Sequence, residues 1–256
     1  MNESMTYQLG FSASHPEQMY DEQARRAKAN KSLTILTDYL HDLSALSLLD
    51  IGCSTGFMTR IYAERFRSVV ALDIDEPAVN FAARENQAPN IEFRVGDSMA
   101  TGLPSDSFDV VTCTHIYEHV PDAQRLVDEI YRVLKPGGVC MFAAGNRFIP
   151  IEGHYGLPLL AAIPKPLGHL YLRAARKGDH YYETHFSHRN LRKLVARFEV
   201  IDYTRRVIEH PQRYSATDVV PPDSTKQKVA RVIAAHANWL VPTYLWLLKK
   251  PAADQD

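Results

Sequence analysis

Nine consecutive residues constrain this chain more than any others: Leu48-Leu49-Asp50-Ile51-Gly52-Cys53-Ser54-Thr55-Gly56, an apolar run that ends in an acid and opens into small residues. The run reads as a buried parallel strand and the small residues as a tight loop. Phe57 to Phe66 then reads as a helix whose N-terminus faces a ligand. Asp50 at the strand end decides the sign of that ligand: a pyrophosphate would be repelled, whereas a ligand carrying an ammonium and a sulfonium would be attracted. Two other glycine loops fail on the same residues. A dinucleotide loop starting at Gly52 needs glycine at 54 and glycine or alanine at 57, where this chain has Ser54 and Phe57. No Gly-Lys-Ser/Thr follows Gly56, so a phosphate-binding P-loop fails too.

The pattern downstream alternates strands and helices. Val69 to Leu72 is a second apolar strand ending in Asp73-Ile74-Asp75, and Asp73 stands where an acid accepts hydrogen bonds from ribose hydroxyls. Ile91 to Val95 alternates as a third strand and closes on Gly96-Asp97-Ser98. Phe108 to Cys113 is a fourth, leading into Thr114-His115-Ile116-Tyr117-Glu118-His119-Val120-Pro121-Asp122. A helix from about Asp122 to Leu134 stops at Lys135-Pro136-Gly137-Gly138, and Val139 to Ala144 is a fifth strand.

Four ordered segments, LLDIGCSTG, VVALDID, VGDSMATGLPSDSFDVV with THIYEHVPD, and LKPGGVCMF, resemble the class I S-adenosylmethionine-dependent methyltransferases. The likeness is close over residues 45 to 145 and only in outline beyond. It implies an α/β, Rossmann-like fold with a seven-stranded, mostly parallel sheet, an antiparallel last strand and, here, an apolar-basic helical insertion. It implies S-adenosyl-L-methionine as cofactor, with Asp50, Gly52, Ser54 and Gly56 at its methionine end and Asp73 on the ribose. Ile74 is expected against adenine, Asp97 near the adenine amino group with Ser98 beside it, and His115 near the sulfonium. Ser54 departs from the family's central glycine. Plainer readings of single residues also stand: Asp50 as a loop cap, Asp73 as a turn residue before a helix at 76–86, Asp97 as an Asx-turn. Three acids at the carboxyl ends of consecutive strands, where open α/β sheets bind ligands, favour the site.

The organisation expected is a helical cap over 1–45, a cofactor-binding core over 46–145, a helical insertion or acceptor lid over 146–187 and a completion of the sheet over 188–256. A length of 256 residues suits such a domain, and a net charge of −1 argues against general nucleic-acid affinity. Cys53, Cys113 and Cys140 have no metal spacing and read as buried thiols of a reducing cytosol. The polar start, with Asn2, Glu3, Gln8 and Glu17, has no signal-peptide core. These points predict a cytoplasmic protein. One helix is expected from about Pro16 to His41, with Tyr20 or Arg25 as a candidate lid over the cofactor and its other basic residues as a solvated face.

Beyond the fifth strand, Gly156 to Pro164 is strongly apolar, and residues 165–177 continue it to a basic end, with prolines at 158, 164 and 166 dividing it into short helical pieces. From Asn146 to Arg206 there are eleven Lys or Arg against five acids. A basic, apolar, aromatic insertion in a neutral chain is either a lid packed on the sheet edge or an interfacial helix pair. The second reading makes 156–177 a peripheral membrane contact at the inner face of a membrane. Its apolar run is too short and interrupted to span a bilayer. After it, Ser187 reads as the N-cap of a helix to Arg197, Phe198 to Ile208 as a strand, Thr225 to Leu240 as a helix and Tyr244 to Leu248 as the final strand.

The chemistry such a cofactor implies asks the protein to align nucleophile, methyl carbon and sulfur and to exclude water. An alcohol acceptor gains from a base; His115 and His119 after the fourth strand and His154, His180, His185 and His188 in or beside the insertion are the candidates, with His154 and His119 favoured by position. Tyr155, Tyr181 and Tyr182 are candidate acceptor contacts through stacking. No metal is expected, since the histidines fall into no recognised ligand spacing. The acceptor favoured is a hydroxyl on a glycan or lipid-linked amphiphile. A soluble small molecule or quinone-like acceptor, and a non-catalytic cofactor-binding subunit, are the alternatives. The oligomeric state is left open.

Overall fold

A computed structural model describes residues 9–252; Asn2, Glu3 and Gln8, and with them the polar start on which the signal-peptide reading rests, lie outside the described residues. Strands β1 (Ser47–Ile51), β2 (Ser68–Asp73), β3 (Ile91–Val95), β4 (Phe108–Thr114), β5 (Leu134–Gly145), β6 (Glu199–Asp202) and β7 (Thr243–Lys249) form one sheet in the order β3-β2-β1-β4-β5-β7-β6. The first five strands are mutually parallel, and β7 lies antiparallel between β5 and β6. The chain order thus reverses at β1, beside β4, where open α/β sheets leave a crevice for ligands.

Every residue of β1 is buried. Alternate residues serve opposite faces: Leu49 and Ile51 pack with Val111, Cys140 and Phe142 on one side, while Leu48 packs with Val110, Val139 and Met141 on the other. This two-sided burial is why the strand reads as a continuous apolar run. Cys53, Cys113 and Cys140 are buried free thiols.

The departures from expectation lie mostly at element ends. The N-terminal helix is broken into Pro16–Met19 and Glu22–Leu40, because the Asp21 carboxylate accepts from Ala24 N at 2.9 Å and starts a new helix. The helix after β1 stops at Ala63, and the one capped by Ser187 covers only His188–Leu194. Lys135 to Gly138 lie within β5: Leu134 already pairs with Phe108, and the register then jumps to Val110 against Val139, leaving these residues as a bulge. The expected strand 198–208 ends at Asp202, whose carboxylate accepts from Thr204 N at 2.8 Å and begins a helix Thr204–Glu209 with Val207 and Ile208 buried. A β-branched run read as strand is here helix, because tertiary burial overrides local propensity. The last helix ends at His236, followed by a 3-10 turn Asn238–Leu240.

In the insertion a 3-10 turn Leu160–Ala162 and a helix Lys165–Ala174 follow the prolines. Leu157, Leu160, Leu172 and Tyr181 form a small core of their own, whereas Ile151, Leu159, Leu167 and Leu170 are exposed. The segment thus packs around a small core of its own and leaves the latter four apolar side chains on its outer face. Among the described residues no helix is long and apolar enough to cross a membrane.

Candidate functional site

The parallel register positions the first acid. Asp50 lies beside Thr112 of β4, and the Thr112 and Thr59 hydroxyls donate to its two carboxylate oxygens at 2.6 Å each. Burial pushes the Asp50 carboxyl up to about 6 in spite of those bonds. Asp73 ends β2 and accepts from Ser54 N at 2.7 Å and Asp75 N at 3.0 Å; burial raises its carboxyl as well. These are neutral donors, so among the described residues neither carboxylate has its charge matched by a hydrogen-bonded cation. Arg25, from the N-terminal helix, offsets the charge of Asp50 only at long range, behind burial and both threonine bonds.

Both acids line a cavity of about 750 Å3 at the carboxyl ends of the strands. Gly52, Ser54, Ile74, Asp97, Ser98 and His115 line it with them. Gly52 has φ +75°, and a Cβ there would overlap Ile116 Cδ1, so only glycine lets the loop turn and lie this close to the residues after β4. Ser54, where the family has glycine, keeps the left-handed backbone (φ 48°) and donates its N–H to Asp73. Gly56 is placed differently. It caps the next helix at φ +79°, close against Ala82 and Phe93, and shapes the loop without lining the cavity. Asp97 accepts from Met99 N at 2.8 Å, forming an Asx-turn, and lines the cavity.

The far wall is built from the segment after β4 and the insertion. His115 Nδ1 lies 3.1 Å from Glu118 Oε1, and against the opposing effect of burial the hydrogen bond and charge of His115 hold the buried Glu118 carboxyl down to about 2. His154 Nδ1 lies 2.7 Å from Glu152 Oε1, and Glu152 also accepts the backbone N–H groups of His154 and Tyr155. Burial pulls His154 down, but the Glu152 bond and the charges of Glu183, Glu152 and Glu118 carry it above 6.5. His119 packs edge-on against His154 at 4.8 Å and, mainly through burial, is lowered to about 3, so it is neutral. Glu118, Glu152, His119 and His154 all line the cavity, with His185 beside them.

The tyrosines are corrected. Tyr181 is buried in the insertion's small core, its hydroxyl 3.0 Å from His185 Nδ1, and Tyr155 packs edge-on against it at 5.9 Å. Tyr182 lies beside His180, its carbonyl accepting from Lys165 Nζ at 2.8 Å. None of the three lines the cavity; they hold the lid together. Of the two lid candidates, Arg25 lines the cavity while Tyr20 packs on Phe81. Sequence reasoning assigned no role to Glu118, Glu152 or Glu183. Glu152 had a local signal, an acid two positions before a candidate base. Glu183 had none. It closes to 3.8 Å from His119 only through the fold, and the structure gathers His119, His154 and Glu183 although their spacing resembles no ligand set.

The family model for a methyltransferase domain matches residues 49–142, the stretch that carries most of β1, all of β2, β3 and β4, and the sheet side of the cavity. Over this stretch the chain matches a methyltransferase domain. Among relatives, ubiquinone biosynthesis O-methyltransferase of Pseudomonas fluorescens (strain Pf0-1) is 33% identical over 110 residues, covering 41% of this chain and 47% of that protein. The Coxiella burnetii (strain RSA 493) protein of the same name is 32% identical over 107 residues, covering 41% and 46%. The chain thus spans about half the length of the curated relatives it matches. Among solved structures, YcgJ from Bacillus subtilis superposes with a TM-score of 0.53 at 18% identity, over 87% of this chain and 99% of that one. The [4+2]-cyclase SpnF superposes at 0.53 and 21%, over 87% and 82%. These structures share the fold of the methyltransferase domain, and the cyclase shows that this fold alone does not fix a chemistry.

Proposed function

We propose that the chain binds S-adenosylmethionine through its methyltransferase domain and methylates a hydroxyl of an amphiphilic, phenol-like acceptor. One observation carries the reading: two buried carboxylates, Asp50 and Asp73, both raised by burial, line one cavity and are bonded only to neutral donors. A cationic nucleoside relieves that arrangement, and an anionic dinucleotide aggravates it. The cofactor, when bound, supplies an electrophilic methyl group on a sulfonium. Asp50 draws the ammonium, Asp73 accepts from ribose hydroxyls through its remaining lone pairs, and Arg25 and Lys28, which also line the cavity, are the cations available to the carboxylate.

Opposite them, His154 takes the proton of the acceptor hydroxyl, and Glu152, bonded to its other ring nitrogen, steadies the imidazolium that results. The oxygen then accepts the methyl carbon, and the C–S bond electrons return to sulfur. His119, neutral at working pH, packs on His154 and restricts its ring. Oxygen as acceptor draws support from this base and from relatives named O-methyltransferases over the matched half. An amphiphile draws support from the outer face of the lid, where Leu159, Leu167 and Leu170 stand exposed ahead of Arg173, Arg176 and Lys177. Such a face suits an anionic membrane from which the acceptor is taken.

Release of S-adenosylhomocysteine, measured with an alkyl-chain phenol, a lipid-linked saccharide and a short soluble catechol, tests this. Turnover is expected to be fastest with the alkyl phenol. Preference for the saccharide would move the acceptor to the glycan class. Cofactor uptake with no release on any hydroxyl would make the protein a binding subunit, and tight NADH uptake in its place would overturn the reading of the cavity.

A further inference from the structure

Three side chains on the acceptor side of the cavity come from distant parts of the chain and meet. One ligating atom each of His119, His154 and Glu183 lies within 4.8 Å of the other two, with Glu183 buried and both imidazoles largely so. A tetrahedral cation about 2.0 to 2.1 Å from each ligand requires ligating atoms about 3.3 Å apart, so the widest pair must close by about 1.5 Å. Rotation of an imidazole about χ1 and χ2 covers that distance.

His154 is already dressed for such a role. With Nδ1 2.7 Å from Glu152, its Nε2 is left as the ligating atom, and a carboxylate behind a metal-bound histidine fixes the tautomer and raises the basicity of the ring. Glu152 is itself held by the backbone N–H groups of His154 and Tyr155 at 2.8 and 2.9 Å. Two imidazoles and one carboxylate favour zinc-like divalent transition metals over magnesium or calcium, which prefer all-oxygen shells.

We propose that His119, His154 and Glu183 form a binding site for a divalent transition cation of the zinc type. Three protein ligands leave a coordination position open, and His119 and His154 line the cavity, so that position faces the space where an acceptor lies. For its role, though not for its existence, the site rests on the proposed methyl transfer. A hydroxyl oxygen in the open position gives its proton to solvent at a lower pH than in water and then forms the C–O bond as the C–S bond breaks. The cation thereby takes over the task that His154 performs alone in its absence.

The test uses the full chain, treated with a chelator and dialysed, without cofactor or acceptor. Co2+ is added under visible absorption and Zn2+ under calorimetry. One equivalent is expected to bind, with the strong visible band of four-coordinate Co2+ and without the near-ultraviolet band of a thiolate ligand. His119→Ala and Glu183→Gln are each expected to weaken binding at least tenfold, while His210→Ala, at an exposed histidine remote in sequence from all three ligands, leaves it unchanged. Binding of S-adenosylhomocysteine to each variant checks that it is folded. If Glu183→Gln fails that check, His119→Ala and His154→Asn carry the test. Weak, non-saturating uptake by the native chain, or equal uptake by the variants, overturns the site. No metal binding with methyl transfer intact removes the site and leaves the proposed function standing; tight binding with no transfer to any hydroxyl does the reverse.

Discussion

On the sheet side of the cavity each polar side chain sits within a residue or two of the end of the strand that carries it, whereas on the lid side the polar groups come from three separate stretches of chain. Asp50 and Asp73 lie at the ends of β1 and β2 and Asp97 two residues beyond β3; Asp50 is held by Thr59 and by Thr112 of the neighbouring β4, Asp73 by Ser54 N from the loop after β1, and Asp97 by Met99 N of its own turn. His119, Glu152, His154 and Glu183 span more than sixty positions and meet only through the fold, with Phe11 packed on both imidazoles. The sheet side is therefore a rigid charge pattern suited to one cofactor. The lid side is an assembly that exists only through the packing of the insertion against the rest of the fold. Binding and transfer should separate along this line.

The largest effect expected is at His154. His154→Ala should lower the rate of methyl transfer by about 10²- to 10⁴-fold, the usual worth of a general base, while S-adenosylhomocysteine affinity stays within twofold. An equal loss of cofactor affinity would merge the two walls into one unit. The pH profile sharpens this. His154 lies above 6.5 because of Glu152, and it must be deprotonated to act, so the rate should rise as pH climbs through that raised value. Glu152→Gln should move the rising limb to lower pH and leave the fold of the sheet side intact. An unmoved limb would detach Glu152 from the base.

Asp50 gives the next largest effect, and its sign runs against the usual surface carboxylate. Its folded value, about 6, lies above the unfolded 3.8, so between those values the native state keeps a proton that the unfolded chain has released. This contribution to stability is full below about pH 4, falls as pH rises through 4 to 6, and is lost above. Asp50→Asn removes the loss and should stabilise the cofactor-free protein near pH 7 by about 1 to 3 kcal/mol, read by denaturant unfolding. The same change should weaken cofactor binding. Stabilisation without that weakening would mean that Asp50 serves the loop alone.

Asp73→Ala should weaken cofactor binding by about 1 to 3 kcal/mol by removing the ribose acceptor, and calorimetry with S-adenosylhomocysteine measures it. Unchanged affinity would take Asp73 out of the site. Because Asp73 also holds Ser54 N, Asp73→Asn separates the two roles, since its amide oxygen still accepts from the loop.

The same contrast governs what a reader of the sequence sees. The order of the first five strands, the acids that end them and the buried cysteines are legible because each depends on residues within one short window. Apolar runs report two-sided burial, and loop glycines report backbone shape, as Gly52 does against Ile116. Element ends were less legible where a side chain started a new helix, as Asp21 and Asp202 do. Tyr155 and Tyr181 were misplaced because an aromatic residue carries the same letter whether it stacks on a ligand or fills a small core. The gathering of His119, His154 and Glu183 was invisible, since no spacing along the chain encodes a meeting made by a lid folding back over a sheet.

The smallest effect concerns the lid's outer face. Leu167 and Leu170 are each 58% exposed on one helix that leads into Arg173, Arg176 and Lys177, and their removal leaves the small core of Leu160, Leu172 and Tyr181 untouched. Leu167→Ser or Leu170→Ser should therefore change folding stability by no more than about 0.5 kcal/mol. If the face docks on a bilayer, each change should weaken retention by vesicles containing anionic phospholipid by about 1 kcal/mol, roughly fivefold, because a half-exposed leucine has about that much left to gain by leaving water. Added salt should weaken retention further through the basic end. Retention that ignores both leucines and salt would leave the face as plain lid surface, and the comparison would then be between a cofactor wall and an acceptor wall with no membrane beneath it.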